Sequence, residues 1–268
     1  MTEYLDVPGG RIAFDLAGDG PLVVCVPGMG DLRAAFRFLA PRLREAGYQV
    51  ATMDIRGHGE SSTGWDSHTQ ISIGGDIVAL IRHLGGPAVV VGHSFASGSA
   101  IAAAASAPAD VLGVVLVSTA TGAPELNPLL ARIFTLVVRS PALWARYVRS
   151  LYPGPKPADL DSYLARLRAV LRQPGRTAAF AAMTPMATPF PADAMAHASR
   201  VTCPALIVMG ARDKDVRDPR AEAEAVAATL GGPAEVVVIP DAGHYPHAQF
   251  PAETGAAVAG FLSQTVHA

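Results

Sequence analysis

Cysteine is scarce. Cys25 and Cys203 are the only two in the chain, too few for a disulfide framework, and neither belongs to a CxxC pair. Both read as small buried hydrophobes with reduced thiols. Charge is scarce as well: 16% of residues are charged, with 21 Lys and Arg against 23 Asp and Glu, a formal net charge of −2. That balance gives no basic footprint for nucleic acid. Long apolar runs are missing too. Ala88–Val91 and Val111–Val117 fall far short of the roughly 20 residues that a membrane span needs. The first ten residues, MTEYLDVPGG, hold two acids, no basic run and no apolar stretch, so no secretory signal is visible and a cytoplasmic location is expected. What the chain has in quantity is core material. Half of its 268 residues are hydrophobic, which excludes a disordered chain and suits one large α/β domain or two small ones. The 26 glycines and 22 prolines follow no period, which excludes collagen-like and linker compositions.

Apolar runs of strand length alternate with segments of helix length. Strands are expected near Glu3–Val7, Ile12–Leu16, Leu22–Val26, Gln49–Asp54, Ala88–Gly92, Val111–Ser118, Ala205–Gly210 and Glu235–Pro240. Several are apolar at nearly every position, as in strands covered on both faces. Helices are expected at Ala34–Ala46, Ile73–Leu84, Phe95–Ala107, Ala221–Leu230 and Thr254–Thr265. Pro8-Gly9-Gly10 joins the first two strands as a hairpin. The pattern predicts a mostly parallel sheet of eight strands with helices on both faces and an antiparallel edge at its start.

Residues 121–200 break this rhythm. Four helices are expected there, at Pro128–Val138, Pro141–Leu151, Ala158–Leu171 and Thr177–Met186, with prolines and glycines between them. Arg132, Arg139, Arg146, Arg166 and Arg168 read as a solvated outer face, while Phe134, Trp144, Tyr147, Phe180, Met183, Met186 and Phe190 read as inward-facing. The expected organisation is a core of residues 1–120 and 201–268 with residues 121–200 inserted as a helical lid.

The chemistry concentrates at Val89-Val90-Val91-Gly92-His93-Ser94-Phe95-Ala96-Ser97-Gly98. A strand runs straight into a helix with Ser94 at the junction, where a sharp turn lifts a hydroxyl above the sheet. The flanking Gly92 and Ala96 are small, as such a turn requires. The plainer alternative is Ser94 as an ordinary helix N-cap.

Here the chain resembles the α/β-hydrolase superfamily, over essentially everything outside the lid. The resemblance rests on five segments in order: Val26-Pro27-Gly28-Met29-Gly30, Asp54-Ile55-Arg56-Gly57-His58-Gly59-Glu60-Ser61-Ser62, the Ser94 turn, Gly210-Ala211-Arg212-Asp213 and Asp241-Ala242-Gly243-His244. It implies the α/β-hydrolase fold with the lid after the sixth strand, and a Ser-Asp-His triad of Ser94, Asp213 and His244. A serine hydroxyl near neutral pH needs a base within reach and a third group to orient that base. The competing positions are His247, His93 and His58 for the base and Asp215 for the acid; Asp218 and Asp241 read as cap and turn residues. Asp31 reads as an N-cap for a helix starting near Leu32.

The oxyanion of acyl transfer needs backbone donors. The Phe95 amide directly follows the nucleophile, and the resemblance points to Met29 for the second. Pro27 stands where relatives often carry a histidine that braces this loop, so that brace is lost. Trp144, Tyr147, Phe180, Met183 and Met186 are the candidate substrate pocket. No cofactor and no metal are expected: His244 and His247 form a His-x-x-His pair, but Pro246 between them argues against a helix presenting both rings. Gly28-x-Gly30 lacks the third glycine of a dinucleotide loop. The expected function is a serine hydrolase cleaving a carboxylic ester, thioester or lactone of a medium-sized apolar small molecule. A cofactor-free perhydrolase or haloperoxidase, a C–C bond hydrolase and a non-catalytic ligand receptor are the alternatives.

Overall fold

The computed structural model describes residues 1–120, 128–184 and 192–266, without the side chains of 128–131 and 192–193. In chain order the strands are β1 (Thr2–Val7), β2 (Gly10–Ala17), β3 (Leu22–Val26), β4 (Gln49–Met53), β5 (Ala88–His93), β6 (Val111–Val117), β7 (Ala205–Gly210) and β8 (Ala234–Ile239). The helices are α1 (Leu39–Glu45), α2 (Gln70–His83), α3 (Phe95–Ser106), α4 (Pro128–Arg139), α5 (Pro141–Ser150), α6 (Leu160–Leu171), α7 (Arg176–Met183), α8 (Ala192–Met195), α9 (Pro219–Thr229), α10 (Pro246–Gln249) and α11 (Pro251–Thr265).

The strands form one eight-stranded sheet in the order β1-β2-β4-β3-β5-β6-β7-β8. β1 and β2 run antiparallel, and β3 to β8 pair in parallel. Valine-rich strands suit this interior, because β-branched side chains pack well on a pleated surface covered on both sides. Alternation along β3 splits its residues between the two layers. Val24 and Val26 join the core under α2 and α3, while Val23 and Cys25 join the core under α1 and α11.

The order reverses beside β3, whose two neighbours are β4 and β5. In open parallel sheets this switch point leaves a crevice at the carboxyl ends of the strands, where ligands bind. The register Val26↔Gly92 sets the end of β3 next to the end of β5. The loop after β3 and the Ser94 turn therefore share that crevice.

The single helix expected over Ala34–Ala46 is two pieces, a 3-10 turn at Arg33–Phe36 and α1 from Leu39. Pro41 explains the break: it lacks an amide hydrogen and its ring would collide with the carbonyl four residues back. Arg33 is buried and pairs with Asp15, Asp54 and Glu60. Its amide also donates to Asp54 Oδ1 at 2.7 Å, which holds the turn down against β4.

Five helices, α4 to α8, are described between β6 and β7, where four were expected; α8 is the additional one. α4 to α7 pack on one another around a core of their own that includes Leu32, Tyr245 and Ala248 from the loops of the sheet. α8 and the turn at Ala198–Arg200 lie against α3 instead, so the last residues of the insertion belong with the sheet layer. The five arginines read as a solvated face are exposed. Among the described residues, no helix is long and apolar enough to cross a membrane.

Candidate active site

β5 passes into α3 through Ser94 alone, at φ 53 and ψ −121. A non-glycine residue in this region is strained by about 1–3 kcal/mol and persists only where its surroundings fix it. Here the Ser94 amide donates to Val117 O on β6 at 2.8 Å, and Ser97 Oγ donates to Gly92 O at 3.0 Å. A Cβ on Gly92 would lie 2.8 Å from the Ala96 carbonyl carbon and 3.0 Å from Ser97 Cα, so only glycine fits before the turn. The Ser94 side chain makes no capping hydrogen bond to α3, which removes the plain N-cap reading. It is half-buried among buried neighbours, at the floor of the crevice.

The loop after β3 runs directly beside it: a Cβ on Gly28 would stand 3.2 Å from Ser94 Cβ. Met29, half-buried, packs against both the sheet core and the inserted helices. Gly30 is held from two sides. Its amide donates to His58 Nε2 at 2.9 Å, and its carbonyl accepts from Trp144 Nε1 at 2.7 Å. His58 Nδ1 donates to Arg56 O at 2.8 Å, so the ring is neutral, and burial pushes its pKa down to about 4. The brace that Pro27 was expected to cost this loop is thus supplied by His58, 28 residues away in sequence. Gly30 sits at φ +69, and a Cβ there would meet the Trp144 ring at 2.6 Å. Glycine is needed both for the backbone and for the space. The other expected donor, Phe95, is fully buried as the first residue of α3.

The loops after β7 and β8 bring the acid and the imidazole together. His244 Nδ1 donates to Asp213 Oδ2 at 2.7 Å, leaving Nε2 on the opposite edge of the ring. Asp213 Oδ1 accepts the Asp215 amide at 3.0 Å, which fixes the carboxylate plane. His244 is tied on both sides of its backbone. Its amide donates to Leu151 O, just past α5, at 3.1 Å, and its carbonyl accepts from His93 Nε2 at 2.8 Å. That second bond joins the His244 loop to the residue preceding Ser94. No hydrogen bond joins Ser94 Oγ to His244 in this conformation; such contacts commonly close only with substrate bound. Burial works against a charged His244, but the neighbouring Asp213, then Asp215 and Asp31, outweigh it and push the pKa up to about 9.

The competing residues fall into other places. His247 is fully buried and stacked on Phe36 at 4.9 Å, with neither ring nitrogen hydrogen-bonded to a described residue, and burial lowers its pKa to about 3. His93 carries the bond to the His244 carbonyl. Asp218 caps α9 by accepting from Ala221 N at 3.1 Å, and Asp241 is exposed. Asp31 departs from expectation, because the 3-10 turn beginning at Arg33 has no side-chain cap. Its carboxylate accepts from the Leu32 amide and from Tyr163 OH, it is fully buried, and Tyr152 and Tyr245 face it. No local pattern marks this cluster, since its tyrosines come from segments far apart in the chain.

Asp215 lies beside this pair. Ligating atoms of Asp213, Asp215 and His244 all lie within 4.8 Å of one another. Because His244 Nδ1 donates its hydrogen to Asp213, that nitrogen has no lone pair to offer a metal. Asp215 Oδ2 accepts from Tyr147 OH at 2.7 Å. Of the other candidate pocket residues, Trp144 and Phe180 meet edge to face at 4.6 Å above Gly30, and Met183 is fully buried against the sheet core. Met186 and Phe190 lie outside the described residues. Trp144 and Tyr147, three apart on α5, thus reach the loop after β3 and the loop after β7 respectively.

The profile of the alpha/beta hydrolase family matches residues 23–257. The chain belongs to the alpha/beta hydrolase family. A similar protein, the 2-(acetamidomethylene)succinate hydrolase of Mesorhizobium japonicum, is 33% identical over 98% of this chain and 95% of its own. Among solved structures, a thermophilic esterase from Thermogutta terrifontis matches with a TM-score of 0.78 at 26% identity, covering 99% of both chains. The enol-lactonase of Burkholderia xenovorans LB400 matches in fold, with a TM-score of 0.81 at 22% identity over 97% of this chain and 100% of its own. The eight-stranded sheet and its flanking helices are this family's architecture, and the two more similar proteins just named are a hydrolase and an esterase.

Proposed function

We propose that this alpha/beta hydrolase cleaves a carboxylic ester, thioester or lactone through an acyl-enzyme on Ser94. His244 takes the Ser94 proton through Nε2 as the hydroxyl attacks the carbonyl carbon, and returns it to the departing alcohol or thiol. Water, deprotonated by the same nitrogen, then releases the acid. Asp213 holds the imidazole in the tautomer that leaves Nε2 free to accept, and stabilises the imidazolium that forms. The amides of Met29 and Phe95 are assigned to the oxyanion. Helices in the 121–200 insertion act as the lid, with Trp144, Tyr147, Phe180 and Met183 as its described share of an apolar pocket. The free, unpaired thiols of Cys25 and Cys203 suit a cytoplasmic setting.

The observation that carries this reading is the strained turn at Ser94, beside a loop that is anchored to the residue before it and bears His244, itself bonded to buried Asp213. The names of similar proteins, an esterase above all, fit the same chemistry. A matched set of one short apolar acyl group as aryl ester, thioester and lactone tests the reading. Turnover of at least one, without added cofactor, is expected; inertness toward all three contradicts it.

A further inference from the structure

Resting on that reading, a feature of the same site bears on which substrates it accepts. Two carboxylates, not one, stand against the base. Asp213 is bonded to His244, and Asp215, two residues on, places a carboxylate oxygen within 4.8 Å of both of their ligating atoms. Only one of these acids is needed to orient an imidazole. The second is held by a neutral partner: Tyr147 donates to it at 2.7 Å from α5, over the site. Asp215 is exposed, and its described side-chain partner is this neutral hydroxyl rather than a cation.

No cation offsets the pair from within. All 21 lysines and arginines fall at described positions, because residues 121–127 and 185–191 contain none. Those that are buried or half-buried are committed elsewhere. Arg33 pairs with Asp15, Asp54 and Glu60, Arg37 with Asp159, and Arg56 with Asp76. Arg176 donates to the backbone carbonyls of His58 and Ser61. Lys214, the exposed cation next to Asp215, turns its ammonium to Ser150 Oγ, 5.2 Å from the Tyr147 ring centroid. Arg212 is likewise exposed, with Nη1 packed toward Gly154. A substrate carboxylate entering this site meets two carboxylates, while the buried and half-buried guanidiniums are held by other partners and Arg212, Lys214 and Arg217 are exposed; selectivity of this kind is set by repulsion as much as by attraction.

We propose that Asp215, held beside the acid–base pair by Tyr147, is a specificity-determining residue that makes the enzyme select uncharged esters and reject carboxylate-bearing ones. A catalytic acid is not its role, since Asp213 already occupies His244 Nδ1. The same charge favours the imidazolium formed during acyl transfer, so one residue both supports the reaction and filters its substrates.

The test compares two ethyl esters of nearly identical shape, one ending in an isopropyl group (ethyl isocaproate) and the other in a carboxylate (monoethyl succinate), followed by proton release. At low salt the wild type should favour the neutral ester by about tenfold or more in kcat/KM. The gap should shrink severalfold in Asp215→Asn, whose amide oxygen still accepts from Tyr147, and shrink again in the wild type at high salt. Tyr147→Phe, which keeps the charge and removes only its anchor, should preserve preference for the neutral ester. A wild type that hydrolyses monoethyl succinate equally well overturns the proposal while leaving the hydrolase reading intact. A preference unmoved by Asp215→Asn also overturns it, by assigning discrimination to shape. Inertness toward both esters, with Ser94 unreactive to a phosphonylating probe, contradicts the hydrolase reading itself and this inference with it.

Discussion

Ser94→Ala lowers ester turnover by about a millionfold, to the residue left by binding and oxyanion donors alone. The size follows from what is removed. Without the hydroxyl no acyl-enzyme forms, and water attacking directly has neither the turn's placement nor a base aligned for it. The loss is not one of folding, because the strained turn is held by backbone bonds, Ser94 N to Val117 O at 2.8 Å and Ser97 Oγ to Gly92 O at 3.0 Å, and the serine side chain caps nothing. Alanine also tolerates the positive φ no worse than serine. Steady-state kinetics on a short aryl ester, with a denaturation curve for both proteins, checks the pair of claims. Turnover retained within tenfold of wild type removes Ser94 from the mechanism.

Asp213→Asn costs about ten thousandfold in kcat, and it also moves the pH profile. His244 must be neutral to accept the serine proton, so kcat/KM rises with pH as its imidazolium is lost. In the wild type the raised pKa of about 9 sets that rise in the alkaline range. Removing the Asp213 charge takes away the largest influence favouring the imidazolium, and the rise moves to lower pH. The same linkage acts on stability. The folded pKa of His244 lies above its ordinary value of 6.5, so the charged pair stabilises the fold fully below about 6.5. That contribution fades as pH climbs through about 9. Urea midpoints across this range should fall for the wild type and stay flatter for the variant. An Asp213→Asn enzyme with unchanged kcat and pH profile transfers the orienting role to Asp215, whose carboxylate is close enough to take it.

Much of this site is legible in local sequence because it depends on short-range rules. Five consecutive apolar residues in Leu22–Val26 can only be a strand covered on both faces, and it is one. Gly92-x-Ser94-x-Ala96 between a strand and a helix is a turn that only small flanking residues permit, and the crowding at Gly92 shows why. The histidine after Gly243 and the aspartate after Gly210-Ala211-Arg212 lie at strand ends in the order that the resemblance implied. What could not be read is what crosses the molecule. His58 bracing Gly30, Trp144 reaching the same glycine from 114 residues away and Tyr147 holding Asp215 from 68 leave no trace in spacing or periodicity. Asp31 looked like a cap because acids before helices usually are, and only burial among three tyrosines distinguishes it. The division of the first helix was legible but missed: Pro41 is in plain view, and its missing amide forbids continuous helix across Arg37.

Covalent trapping tests the central claim, a serine made nucleophilic by the His–Asp pair, more directly than any rate. A fluorophosphonate should label the wild type at one site, the peptide carrying Ser94, and label His244→Ala far more slowly. Attachment to any other residue, or equal labelling rates in the two proteins, contradicts the account.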